Sequence, residues 1–358
     1  MENKNHQEVE QLLHRLFPNE RTEVKFVVHS GIDAVSGAKI AHFHLHRGRA
    51  IIQAMIKRAP DVGTNERAGG KLISPYLRIP SELRPHGNDY YLYQRVRGMT
   101  VDRYIREKHT HSEVGREHFL TATREHLKMW RQTLSKGIEP VGYVSKVDKT
   151  LDNVKATTLW HNSLEEISNR RLVVNGLVLP SFNELCEELR SVIATPQPVV
   201  LSHGDEGSCN HVVCRETEEL YYIDHGTAGR RIISEPIVKV LLWFPATLSE
   251  HLKFDFRVLS DSVVIDYQIN LDPIVGEMVA EAKEIIFDEL GQHIDKRSLY
   301  ACAAMYFLRE VKWIERRHRE LMTAPLLAMA MEAAGVVAGA LPGMPLLTPH
   351  RQKEPAQS

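Results

Sequence analysis

Between Leu201 and Gly229 the chain reads LSHGDEGSCNHVVCRETEELYYIDHGTAG, a stretch that restricts the fold and its chemistry more than any other. Asp205 precedes Asn210 by five positions and Asn210 precedes Asp224 by fourteen, and apolar β-like runs at 198–202 and 219–224 lead into the two aspartates. A carboxylate, an amide oxygen and a second carboxylate in this order suit phosphoryl transfer. The first accepts the proton of an attacking hydroxyl or orients it, and the other two hold the magnesium ions that neutralise a triphosphate. The competing reading makes Gly204 and Gly207 a turn, with Asp205, Asn210 and Asp224 as turn formers. Three polar residues of the required kinds, ordered between two β-like segments, argue against it.

Protein kinases carry H-R-D-x-x-x-x-N followed by D-F-G, and His203-Gly204-Asp205, Asn210 and Asp224-His225-Gly226 keep the first of those offsets. The stretch resembles the aminoglycoside phosphotransferase and choline kinase superfamily, whose members show HGD, an asparagine five residues beyond the aspartate, and an isoleucine-aspartate pair after a short hairpin. The resemblance spans 23–245 and is sharp from 201 to 229. It implies an α+β, two-lobed protein-kinase-like fold, with a small β-rich N-lobe and a larger, mainly helical C-lobe. It also implies Asp205 as the catalytic aspartate, Asn210 and Asp224 as Mg2+ ligands, and His203 as a brace for the loop. Two positions depart from the family: Gly207-Ser208-Cys209 stands where members often have histidine-proline-glycine, and Glu235-Pro236 followed by Lys239 replaces a DPxxD pattern. Gly204 replaces the arginine of HRD, and only TAGRRIIS separates Gly226 from Glu235, too little for a usual activation loop. A small-molecule kinase is therefore expected rather than a protein kinase.

A kinase-like small lobe needs a strand lysine to hold the α and β phosphates, fixed by an acid from the next helix. Lys57 ends the apolar run GRAIIQAMIK, and Glu66 follows at a suitable distance. The plain alternative is a solvated lysine at a strand end, with Lys39 and Lys71 as weaker substitutes. Gly69-Gly70 would cost about 2 kcal/mol inside a helix, so the helix carrying Glu66 is expected to be short or irregular. The segment SGIDAVSGAK offers Ser30, Gly31 and Ser36 as a phosphate-covering loop; it lacks GxGxxG, and an ordinary hairpin is the alternative. By position, the Tyr90–Val96 run places the backbone of Gln94 to Val96 against the adenine edge.

Along the rest of the chain, a helix over 7–17 precedes β-like runs at 23–30, 39–46 and 50–58, and Gly98 marks a hinge before a helix capped by Thr100 or Asp102. Helical periodicity covers 113–135, 161–171 and 182–194, and helices resume after the motif to about 340. The expected division is an N-terminal nucleotide-binding lobe with its leading helix over 1–98, a helical C-lobe with catalytic loop and acceptor site over 99–341, and a disordered proline-bearing tail over 342–358.

Lysine and arginine total 45 against 46 acids, giving a net charge of -1 and no basic field for nucleic acid or an anionic membrane. Four cysteines without CxxC spacing and an opening MENKNHQEVE free of any apolar stretch suggest a reducing, cytoplasmic setting. The apolar segment 326–341 is interrupted and shorter than the roughly 20 residues of a membrane span. His42, His44 and His46 share one strand face and are read as solvated rather than metal-binding. Trp130, Trp160, Trp243 and Trp313 are read as core.

Nine acidic residues and one lysine, Lys283, lie between 258 and 295. They suit an amino-bearing acceptor, or form a solvated helix face balanced by the basic stretch 296–319. The expected reaction moves the γ-phosphate of ATP or GTP to a hydroxyl of a small acceptor such as an aminoglycoside-type antibiotic. The alternatives are a choline-, homoserine- or sugar-type metabolite kinase, a pseudokinase that binds nucleotide without turnover, and an interaction protein with no catalysis.

Overall fold

The computed structural model describes residues 2–28, 39–107, 112–138, 143–161, 165, 168–247, 253–268, 272–316 and 323–344. The chain is α+β, with a β-rich N-terminal region and a mainly helical C-terminal region. It divides into two compact units, Met1–Lys108 with Ser202–Gly229, and His109–Leu201 with Arg230–Ser358. The motif stretch thus packs with the N-terminal residues, whereas a boundary at 98 assigns it to the second part of the chain.

In the first unit α1 (Glu2–Leu16) packs on an antiparallel sheet of β1 (Arg21–Val28), β2 (Lys39–Arg47), β3 (Ala50–Arg58) and β4 (Tyr90–Gln94), in that order. Alternation drives this packing, because side chains of a strand point to opposite faces with period two. Ala41, Phe43 and Leu45 of β2, Ala54 and Ile56 of β3 and Leu92 of β4 are buried with Leu12, Leu13, Leu16 and Phe17. His42, His44 and His46 take the opposite face of β2 and keep partial exposure, as their spacing predicts. That opposite face also carries Lys57, which pairs across the ladder with Ile40 and Tyr91.

After β3 comes α2 (Val62–Ile73). A second sheet of the same unit joins β5 (Gly98–Thr100), β10 (His211–Cys214) and β11 (Leu220–Tyr222), with β10 central. Gly98, the residue expected as a hinge, lies inside this unit, paired with Cys214. Thr100 caps α3 (Val101–Arg106) by accepting the Arg103 N–H at 3.3 Å.

The second unit holds α4 (Ser112–Thr133), β6 (Ser135–Ile138), α5 (Tyr143–Lys155), β7 (Arg171–Val174), β8 (Leu177–Ser181), α6 (Phe182–Ile193) and all but the last residue of β9 (Gln197–Ser202). It continues with β12 (Gly229–Ile232), α7 (Ser234–Thr247), β13 (Lys253–Val258), β14 (Ser262–Gln268), α8 (Pro273–Leu290), α9 (Lys296–Arg316) and α10 (Thr323–Val337). Two expectations fail here. The helix expected over 161–171 gives way to β7 at Arg171, and the helices expected after 245 are interrupted by the β13–β14 hairpin. The sheet order β13-β14-β7-β8 explains both: β7 and β14 pair in parallel and bury Leu172, Val174, Val263 and Ile265 together, a use for β-branched residues that no local window reveals.

Trp130 and Trp160 are buried, the latter against Phe182, while Trp243 is partly exposed and the Trp313 side chain falls outside the described residues. Four acids of the run have structural partners. Asp272 and Asp295 accept N–H groups at the starts of α8 and α9, Glu281 pairs with Arg116 at 2.6 Å, and Glu289 pairs with Arg131. These roles favour the structural reading of those acids. Cys186, Cys209, Cys214 and Cys302 are in no disulfide, and among the described residues no helix is long and apolar enough to cross a membrane. Residues 345–358 of the tail lie outside the described residues.

Candidate phosphotransfer site

Lys57 is 8% exposed, which removes the reading of a solvated strand-end lysine. Its ammonium lies 2.8 Å from Glu66 Oε1 and 2.5 Å from Asp224 Oδ1. Glu66, on α2, is fully enclosed, whereas the Asp224 carboxylate is half open to solvent. Burial pushes the Lys57 ammonium down, but the Asp224 and Glu66 carboxylates outweigh it and hold the group above the ordinary lysine value. At Glu66 burial raises the carboxyl and exceeds the opposing pull of Lys57. At Asp224 burial also pushes upward, yet Lys57 wins and the carboxyl sits below the ordinary aspartate value. Asp224 has φ 60, a left-handed conformation uncommon outside glycine and found often at functional sites.

The helix carrying Glu66 is neither short nor broken: α2 runs for 12 residues straight through Gly69-Gly70. The glycines answer to packing. A Cβ on Gly69 would stand 1.9 Å from the His225 carbonyl oxygen, so only a bare Cα lets the Asp224-His225-Gly226 segment lie against α2 and bring Asp224 to Lys57. Gly69→Ala, which ordinary propensity would favour, is expected instead to destabilise the protein by about 1–3 kcal/mol in urea unfolding, the usual cost of overpacking. A variant as stable as the parent would contradict this packing.

His225, which sequence reasoning passed over, is buried beside the trio. Its Nε2 faces Glu66 Oε2 at 3.5 Å and the Tyr91 hydroxyl at 3.4 Å. Burial, with the neighbouring His203, lowers its pKa to about 4 from 6.5. Between those values the unfolded chain binds a proton that the folded ring refuses, so stability is full above pH 6.5 and falls as pH drops through the folded value. The shift corresponds to ~3 kcal/mol. Unfolding free energies measured at pH 7 and pH 4 should therefore differ less in His225→Gln than in the parent by an amount of that order. An identical acid dependence in both proteins would remove the role assigned to His225.

The loop after β9 holds the other motif residues. Gly204 has φ 90, and a Cβ there would stand 2.2 Å from the Thr227 carbonyl oxygen, so the turn and its contact both need glycine. The Asp205 carbonyl accepts His203 Nδ1 at 2.9 Å and Asn210 Nδ2 at 3.2 Å. The brace expected of His203 is thus made to the Asp205 main chain. Asn210 closes a 3-10 turn, Ser208–Asn210, and its carbonyl accepts the Ile223 N–H at 3.0 Å, which ties the segment carrying Asp224 to the loop. Lys57, Glu66, His203, Asp205, Asn210 and Asp224 all belong to the first compact unit.

No family model matches the chain, and no curated protein matches it by sequence. Solved structures do match it. A thermostable mutant of aminoglycoside phosphotransferase APH(4)-Ia in its apo form aligns with a TM-score of 0.54 at 14% identity, over 92% of this chain and 99% of that one. A ternary complex of such a mutant with AMP-PNP and hygromycin B gives 0.54 at 13% identity, over 94% and 99%. Plasmodium vivax ethanolamine kinase gives 0.53 at 8% identity, over 90% and 85%. The chain has the aminoglycoside phosphotransferase-like fold.

Within this aminoglycoside phosphotransferase-like fold the remaining sequence candidates fall as follows. The Gln94 N–H is committed to the Ser81 carbonyl at 3.0 Å and the Arg95 N–H to Gln53 at 2.9 Å, while the Val96 N–H takes no such bond among the described residues. Ser30, Gly31 and Ser36 lie outside the described residues, as does the side chain of Lys39. Lys71 is exposed in the last turn of α2 and makes no claim on the trio.

The donor set fits magnesium. Asn210 donates from Nδ2 to the Asp205 carbonyl at 3.2 Å and accepts the Cys209 thiol at 3.7 Å on Oδ1, while Asp224 Oδ1 is engaged by Lys57, so the oxygens these two residues bring to the set are an amide oxygen and a carboxylate. Both are hard oxygen donors, and few protein ligands are needed where phosphates complete an octahedral shell.

Proposed function

We propose that this chain is a small-molecule kinase that transfers the γ-phosphate of ATP, or of GTP, to a hydroxyl group of a small acceptor. The observation that carries the reading is the buried Lys57, held by Glu66 and turned onto Asp224, in the same compact unit as a loop that braces Asp205 and Asn210. A buried ammonium held between two carboxylates is a costly arrangement that suits the binding of phosphate oxygens.

In this reading Lys57 contacts the α and β phosphates, and Glu66 keeps its ammonium from swinging away. Asn210 and Asp224 would hold Mg2+, which would neutralise charge on the phosphates. Asp205 orients the acceptor hydroxyl and accepts its proton as the oxygen attacks. The Val96 N–H is the backbone donor offered to the base. Positioning supplies most of the rate, since the reacting groups need little covalent help.

For the acceptor, an amino-bearing alcohol is the class we favour. Hygromycin B in the APH(4)-Ia complex and the ethanolamine named in the Plasmodium vivax enzyme both join an amine to a hydroxyl. A coupled ADP-release assay over aminoglycosides, other antibiotics, amino alcohols and sugars tests the proposal. Acceptor-dependent release that requires magnesium supports it. Magnesium nucleotide binding seen as a thermal shift, with no turnover on any acceptor, would point to a pseudokinase. No release and no shift would leave the kinase reading without support.

A further inference from the structure

The residue after Asp205 is itself a buried acid. Glu206 is 1% exposed, and the mechanism above gives it no part. Its Oε1 accepts the hydroxyl of Ser202, the residue that ends β9, and also faces the Gly204 N–H at 3.2 Å. The same N–H points to Ser202 Oγ at 2.8 Å. One carboxylate oxygen therefore closes a ring of three polar groups around the turn whose central glycine is left-handed. On the far side of Asp205, His203 and Asn210 hold its carbonyl. The main chain of Asp205 is gripped from both directions, while its own carboxylate takes part in none of these bonds.

A buried carboxylate is an expensive way to fill space, because its desolvation must be offset by hydrogen bonds and an apolar side chain would fill the same volume without that cost. The hydrogen bonds it does make hold the Ser202–Gly204 turn and contribute to nothing else among the described residues.

We propose that Glu206 is a positioning residue for Asp205: its carboxylate, through Ser202 and the Gly204 amide, fixes the direction in which Asp205 presents its side chain. The clamp is a property of the loop. Its consequence for turnover rests on the kinase reading.

The test uses the full chain with Glu206→Ala, Glu206→Gln and Ser202→Ala. Two quantities are measured: hydrogen exchange at the Gly204 amide, and kcat, acceptor KM and nucleotide Kd on whichever acceptor the panel identifies. In Glu206→Ala the Gly204 amide should exchange about tenfold faster or more, as expected when a local bond network opens. Its kcat should fall about 10- to 100-fold, the scale of a misplaced catalytic group, with KM and Kd within about threefold of the parent, because the phosphate and metal contacts lie elsewhere.

Glu206→Gln keeps an acceptor oxygen and should recover most of kcat. Ser202→Ala should give a smaller loss that adds nothing on top of Glu206→Ala, the signature of one shared network. An active parent whose Glu206→Ala variant is unimpaired, or whose Gln and Ala variants are equally impaired, would overturn the assignment. If Glu206→Ala does not fold, unchanged kcat and Gly204 exchange in Ser202→Ala would overturn it alone. A parent inactive on every acceptor sinks the kinase reading instead, and is told apart from failure of the clamp by the exchange rates.

Discussion

Asp205→Asn is expected to lower kcat by about 10²–10⁴-fold, the range of general-base contributions, while magnesium nucleotide binds as in the parent. The substitution keeps the shape of the side chain and removes the charge that accepts a proton. The loop should hold its form, because His203 and Asn210 bind the Asp205 carbonyl and not its carboxylate, and the Glu206 ring grips the preceding turn. Asn210 and Asp224 are untouched, so the proposed metal ligands remain. The measurement is single-turnover kcat, which isolates chemistry from product release, together with nucleotide Kd for parent and variant. A variant that keeps more than about a tenth of the parental rate, above the weakest general-base effect, would end the assignment of Asp205.

How much of this was legible in the sequence depends on whether the cause was local. Strand alternation exposed the buried and open faces of β2, because the period of two is set within the strand. The spacing of the motif singled out Asp205, Asn210 and Asp224 as candidates, and the end of an apolar run singled out Lys57, which the structure buries between Glu66 and Asp224. What stayed hidden was set by distant partners. Gly69-Gly70 looks like a helix defect until the His225 carbonyl is placed against it. The β13–β14 hairpin reads as more helix until β7, far back in the chain, supplies a parallel partner. His225 and Glu206 stood inside the motif in plain view, yet nothing in their neighbours' identities announced that both are enclosed.

Lys57→Ala brings the second large effect, and it acts on folding as well as turnover. A solvated strand-end lysine could be removed at little cost, but this one neutralises an enclosed Glu66 and a second carboxylate, and stripping one partner from a buried ion pair costs about 3–5 kcal/mol. Solvent reaches Asp224, so the lower end of that range is expected. Turnover should fall by about 10²–10³-fold, the scale for losing one preorganised charge at a site of developing charge.

A double variant, Lys57→Met with Glu66→Leu, separates the two effects. Replacing a buried pair by apolar side chains of similar volume is often neutral for stability, so the double variant should unfold in urea close to the parent while remaining as inactive as Lys57→Ala. Recovery of stability without activity would assign Lys57 a chemical task distinct from its structural one. Recovery of both would show that the ammonium serves the fold alone and would move the phosphate-binding role to another cation.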